Sequence, residues 1–197
     1  MSKTILGVPI GLQADDIWLI KPERKTLCNR TGMSDDRTGS AAEELSSEEK
    51  RENVVRLAFG GDERRFNEFV DIVRAAIPPG TGVVLRGSAV TGERWKDGAP
   101  FDSDGPGTSD LDLTLVGGDE VIGLFKVTGF WVPAIHSRPL SDVDPDIAPD
   151  LIPLRERLMA IVNRPVNIQA SRDIVLYFRG ELIGQPYLVL IDKPEAK

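Results

Sequence analysis

The chain has one cysteine, Cys28, and one histidine, His136, in 197 residues. A lone thiol closes no internal disulfide, which excludes a small disulfide-stapled secreted scaffold. A single histidine with no Cys/His cluster cannot build a zinc site. No histidine lies near Cys28 in sequence, so it reads as an incidental thiol rather than a nucleophile. No apolar run reaches 18 residues, so no spanning helix and no membrane partner are expected. The N-terminus, Met1-Ser2-Lys3-Thr4-Ile5, lacks the long apolar region of a signal peptide. Together these features point to the cytoplasm. Positive charge is also short: 24 Lys and Arg face 31 Asp and Glu, a net charge of -7. That balance disfavours broad, sequence-independent DNA binding, which needs many phosphate contacts.

What the chain does have is enough apolar content, 41%, for a packed core in one domain. Residues 30–47 are rich in Ser, Gly, Asp and Thr and read as a linker. The expected organisation is therefore an N-terminal extension over 1–47, partly flexible, followed by a domain over 48–197. The domain is organised around residues 82–118. A short apolar run over 82–86 ends in Gly87-Ser88, and a second, over 110–116, begins Asp-Leu-Asp. Side chains alternate along a strand, so Leu111, Leu113 and Leu115 point into a core while Asp110, Asp112 and Thr114 point the other way. Two carboxylates side by side repel and call for a cation. Mg²⁺ takes oxygen ligands and commonly uses one or two carboxylates plus substrate phosphates. Gly87 lets the backbone turn tightly, and Ser88 is placed to cap a short helix over 89–93. Backbone N–H groups at such a turn, with the serine hydroxyl, make a seat for phosphate oxygens. No Gly-Lys-Ser/Thr follows the glycines, so this is not a P-loop.

The sequence Leu85-Arg86-Gly87-Ser88 at the end of one strand, followed by Ser109-Asp110-Leu111-Asp112-Leu113 opening the next, resembles the nucleotidyltransferase superfamily related to DNA polymerase β. As a pattern the resemblance spans about residues 62–191. It implies an α+β fold with a nucleotidyltransferase-like mixed sheet flanked by helices. It also implies Mg²⁺, with Mn²⁺ as a substitute, held by Asp110 and Asp112, and a nucleoside triphosphate bound through Arg86, Gly87 and Ser88. Catalytic members of that superfamily usually carry a third carboxylate on a later strand. The matching strand here is 164–171, whose polar face shows Asn167 and Gln169, amides that take no proton from a hydroxyl at neutral pH. Asp173, just beyond, is the candidate to complete a catalytic set with Asp110 and Asp112.

The remaining chain gives a coarser reading. Ser46 and Glu49 form a capping-box pair ahead of a helix to about residue 58, with Val54, Leu57 and Ala58 on one face. Asp62 caps a second helix over 63–77, with Phe66, Phe69, Val70, Val73 and Ile77 at helical spacing. Pro78-Pro79-Gly80 breaks it. Residues 5–10 and 17–20 fit a hairpin, 121–127 fits helix or strand, and 128–149 reads as a long loop. In that loop His136 and Arg138 read as a solvent-exposed pair, the alternative being that they contact a base or a phosphate, and Trp131 is a packing anchor. Residues 95–108 read as a mobile polar loop beside the site; the sharper alternative is that it covers bound nucleotide with Trp95 packed on it. Asp150 caps a helix over 151–163, and strands follow at 166–170, 174–178 and 187–191.

Two functions fit. One is a Mg²⁺-dependent nucleotidyltransferase that transfers a nucleoside monophosphate from an NTP to an acceptor (small molecule, protein or RNA) with release of pyrophosphate. The other is a catalytically degenerate protein of the same fold that binds nucleotide or a protein partner.

Overall fold

The structure, a computed structural model, describes residues 45–193. Cys28, the runs at 5–10 and 17–20 and most of the 1–47 extension lie outside the described residues. Among the described residues the fold is α+β, with a six-stranded mixed sheet. In chain order the elements are helices α1 (Ser47–Phe59) and α2 (Glu63–Ala76), strand β1 (Gly82–Arg86), helix α3 (Ser88–Thr91), strand β2 (Leu111–Val116) and helix α4 (Asp119–Ile122). Strands β3 (Phe130–Val132) and β4 (His136–Ser137), helix α5 (Ile152–Val162), strand β5 (Val166–Ser171), helix α6 (Asp173–Tyr177) and strand β6 (Tyr187–Ile191) complete it. The sheet order is β3-β4-β5-β2-β1-β6. β2 lies between an antiparallel β1 and a parallel β5, so the strand carrying the acids is central.

The ends of the first two helices follow from local chemistry. The Ser46 hydroxyl accepts from the Glu49 amide while the Glu49 carboxylate accepts from the Ser46 amide, a complete capping box. Gly60, at φ +65°, closes α1 in the left-handed conformation. Asp62 accepts from the amides of Arg64 and Arg65 and starts α2. The buried face of α1 is Val54, Val55, Ala58 and Phe59, with Leu57 only half-buried. Phe59 meets Phe66 and Phe69 edge-on, each ring centroid 5.4 Å away, the arrangement ring quadrupoles favour. Together with α5, these helices cover one face of the sheet, where Leu85, Leu111, Leu113, Leu115, Ile168 and Ala170 are all essentially without solvent contact.

Several expectations are corrected. The 174–178 strand is instead helix α6, continued by a π-turn at Phe178–Leu182. Its run of Ile, Val, Leu, Tyr and Phe has strand-like composition, but no residue of α6 is buried and none joins the sheet, so no packing holds it extended. The 128–149 segment is not all loop: it supplies β3 and β4. His136 is buried there, at 7% exposure, whereas Trp131 is half exposed on edge strand β3. Residues 121–127 resolve into the end of α4 and the approach to a 3₁₀ turn at Val127–Gly129. Asp150 does not cap α5 with its side chain; a 3₁₀ turn, Pro149–Leu151, leads into it. No helix among the described residues is long and apolar enough to cross a membrane.

Candidate functional site

The register of the sheet assembles the site. Arg86 on β1 lies opposite Asp112 on β2, and Asp112 lies opposite Asn167 on β5. Directly paired residues project from the same face. Two residues further along, Thr114 pairs with Val84 and with Gln169. The face opposite the core is therefore a polar strip, and Asp110 and Asp112 stand at its mouth.

The Gly87 turn closes over this mouth. Gly87 has φ +89°, and a β-carbon added to it would lie 3.2 Å from Oδ2 of Asp112. Glycine is needed twice here: for the left-handed backbone and for room beside the carboxylate. Ser88 follows as the first residue of α3, with Gly87 in the cap position and no side-chain capping bond. The expected serine cap over 89–93 is thus replaced by a helix of Ser88–Thr91 that starts one residue earlier. The Ser88 side chain is not engaged in capping it.

Asn167 ties the acids together. Its Nδ2 donates to Oδ2 of Asp110 at 2.5 Å and to Oδ1 of Asp112 at 3.1 Å. The Asp112 carboxyl is nevertheless pushed up to about 7, by burial first and then by the charge of Asp110, against the lowering effect of the Asn167 amide. A divalent cation would answer that repulsion. Among the described residues no group of three or more His, Cys, Asp or Glu side chains comes together as a metal cluster. The groups that would hold an ion are instead the two carboxylates, with the Asn167 N–H bonded to both; a Mg²⁺ ion there would complete its shell with water and phosphate.

The other proposed residues fall differently. Arg86 is buried, and its guanidinium runs along the polar strip, with Nε donating to Thr114 Oγ1 at 3.1 Å and Nη2 to Gln169 Oε1 at 2.6 Å. It braces three strands beneath the acids. Asp173 does not join them. β2 and β5 run parallel, with Leu111 paired to Val166 at the acid end and Val116 paired to Ser171 at the other. From Asn167 to Ser171 the strand rises about 13 Å, and Asp173 lies beyond, where its carboxylate accepts from Lys193 Nζ at 2.6 Å.

Residues 95–108 are braced rather than loose. Asp102, at φ +58°, accepts from the amides of Gly107 and Ser109, and its own amide donates to the Ser109 hydroxyl. Arg164 completes the hub: Nη1 donates to Asp102 Oδ1 and to the Ser109 carbonyl, both at 3.0 Å, and its guanidinium lies 4.5 Å from the Phe101 ring centroid. Burial pushes the Asp102 carboxyl up, but the Arg164 hydrogen bonds, the two amides and the Arg164 charge outweigh it and hold the group at about 2. This clamp fixes Ser109, and so sets where Asp110 enters the site. Trp95 is 42% exposed on the same loop. Arg94 lies at its start, within range of the Asp110 charge. Nothing in the spacing of the sequence marked Arg94 or the Asp102–Arg164 pair; only the fold places the pair on Ser109, next to Asp110, with Arg94 on the same loop. His136 and Arg138 lie elsewhere, Arg138 paired with Asp144 at 3.1 Å.

The chain matches no protein-family model, no curated protein sequence and no solved structure.

Proposed function

We propose that this chain is a Mg²⁺-dependent nucleotidyltransferase of the polymerase-β-like type, which transfers a nucleoside monophosphate from an NTP to a hydroxyl acceptor with pyrophosphate as leaving group. The observation that carries this is the close approach of the Gly87 turn to the Asp112 carboxylate, which leaves little room for a β-carbon, with Asp110 bridged to Asp112 by Asn167. That approach brings a phosphate seat and a cation seat together. Asp110 and Asp112 would hold the ion, which supplies charge neutralisation on the phosphates. Gly87 gives the phosphates close access to backbone, and Ser88 offers a hydroxyl. Arg86 and Asn167 keep the acids in place from below and beside, so positioning and electrostatics carry the rate, as in phosphoryl transfer generally. At the level of fold class, the mixed six-stranded sheet with its helices supports the reading.

Asn167 favours a second reading. It occupies the strand position opposite Asp112, and an amide there accepts no proton from an attacking hydroxyl. A protein that binds Mg²⁺–NTP without turnover fits that substitution. Incubation with each labelled NTP, Mg²⁺ or Mn²⁺ and cell extract separates the two. The enzyme labels an acceptor and releases pyrophosphate, and Asp110→Ala abolishes both. Mg²⁺–NTP affinity by calorimetry with no labelled product in any extract supports the second reading, and labelling that survives Asp110→Ala removes the first.

A further inference from the structure

Arg94 combines a fixed backbone with a loosely held side chain. Its amide donates to the Ala99 carbonyl at 2.7 Å and its carbonyl accepts from Gly98 at 2.8 Å. The loop is tied at both ends to the site. Gly92 ends the helix that Ser88 begins, and its carbonyl accepts from Phe101 at 2.8 Å, while Asp102 is bonded to Ser109 next to Asp110. Arg94 is thus carried on a bridge between the Gly-Ser turn and the acid strand. Its guanidinium reaches Asp104 Oδ2 at 2.7 Å, the Ser103 hydroxyl at 3.1 Å and Asp97 Oδ2 at 3.4 Å, and the Asp104 side chain is 71% exposed. Exposed pairs of this kind hold weakly because water and salt screen them. A polyphosphate at the acids offers several charged oxygens and forked geometry, which arginine prefers.

We propose that Arg94 is a phosphate-binding residue that exchanges Asp104 for the non-bridging oxygens of a bound triphosphate, with Asp104 serving as its tether in the empty site. This rests on the triphosphate reading of the acid pair. Asp97, Ser103 and Asp104 hold the guanidinium on the loop that bridges the Gly-Ser turn and the acid strand. The backbone at Arg94 is bonded on both sides, to Ala99 and Gly98, so the exchange is assigned to the side chain.

Calorimetry on the full chain with inorganic tripolyphosphate plus Mg²⁺ tests this without depending on base preference. Arg94→Ala should weaken tripolyphosphate binding by about tenfold or more, the factor of one charge-assisted contact, while AMP binding changes little. Arg94→Lys should recover part of the loss, and Asp104→Ala should bind tripolyphosphate several-fold more tightly than the wild type. Thermal unfolding should be nearly unchanged in all three, since these side chains lie at the surface. Equal tripolyphosphate affinity in wild type and Arg94→Ala overturns the role of Arg94 and leaves the triphosphate reading standing. An unchanged or weaker affinity in Asp104→Ala overturns the exchange. A wild type that binds neither tripolyphosphate nor any Mg²⁺–NTP overturns both.

Discussion

Replacing Asp102 by Asn tests whether the clamp beneath the loop orders the site. The substitution keeps the shape of the side chain, removes its charge and turns one acceptor into a donor facing the Arg164 guanidinium and the Gly107 and Ser109 amides. The Asp102 side chain is 21% exposed and that of Arg164 is 8% exposed, so solvent screens the pair little. The fall of the Asp102 carboxyl from 3.8 to about 2 corresponds to about 2–3 kcal/mol. For a domain of this size that lowers the melting midpoint by about 5–10 °C. The sign fixes the pH window. A lowered folded pKa means that the stabilisation is complete above about 4 and is lost as pH falls through about 2. Urea unfolding at pH 7, 4 and 2.5 should show wild type ahead of Asp102→Asn by about 2–3 kcal/mol at pH 7, with the gap shrinking sharply at pH 2.5. A gap that is absent at pH 7, or unchanged at pH 2.5, refutes the role given to the charge.

Further outcomes follow from other parts of the structure. Gly87→Ala places a β-carbon 3.2 Å from the Asp112 carboxylate at φ +89°; it should cost about 1–2 kcal/mol in stability and weaken Mg²⁺–NTP affinity, and calorimetry matching wild type would contradict the close approach. Folded Asp112 keeps its proton up to about pH 7 while the unfolded chain loses it near 3.8, so the metal-free protein should lose stability between about pH 4 and 7. In Asp112→Asn that decline should flatten, which denaturation across this range measures. Asn167→Asp exchanges two N–H bonds for a third negative charge; the metal-free protein should be destabilised by about 2 kcal/mol or more at pH 8, with Mn²⁺ restoring its melting temperature. Phe59→Ala empties the centre of the three-ring cluster and should cost about 3–5 kcal/mol in chemical denaturation.

Much of the frame was legible because local chemistry determined it. Ser46 with Glu49, and Asp62, named the starts of the first two helices. The alternation around Asp110 and Asp112 named the core-facing and polar faces of β2, and Asn167 and Gln169 stood out as amides on β5 before the register was known. What escaped depended on tertiary placement. The residues after Asp173 have strand composition but join no strand of the sheet and bury no side chain in α6, and the parallel pairing of β2 with β5 carries Asp173 to the end away from the acids. His136 looked like a loop residue because β4 is only two residues long, too short to leave a pattern. Arg94 and the Asp102–Arg164 clamp act across separations that no spacing rule covers.

The most direct measurement is Mn²⁺–NTP binding to wild type, Asp110→Ala and Asp112→Ala, followed by the paramagnetic resonance of the ion, with thermal unfolding as the control for folding. Wild type should immobilise Mn²⁺ together with the nucleotide, and each alanine variant should lose at least about tenfold in affinity while remaining folded. Equal Mn²⁺–NTP binding by all three proteins, or none by the wild type, would contradict the assignment of Asp110 and Asp112 as the cation seat beside the Gly87 turn.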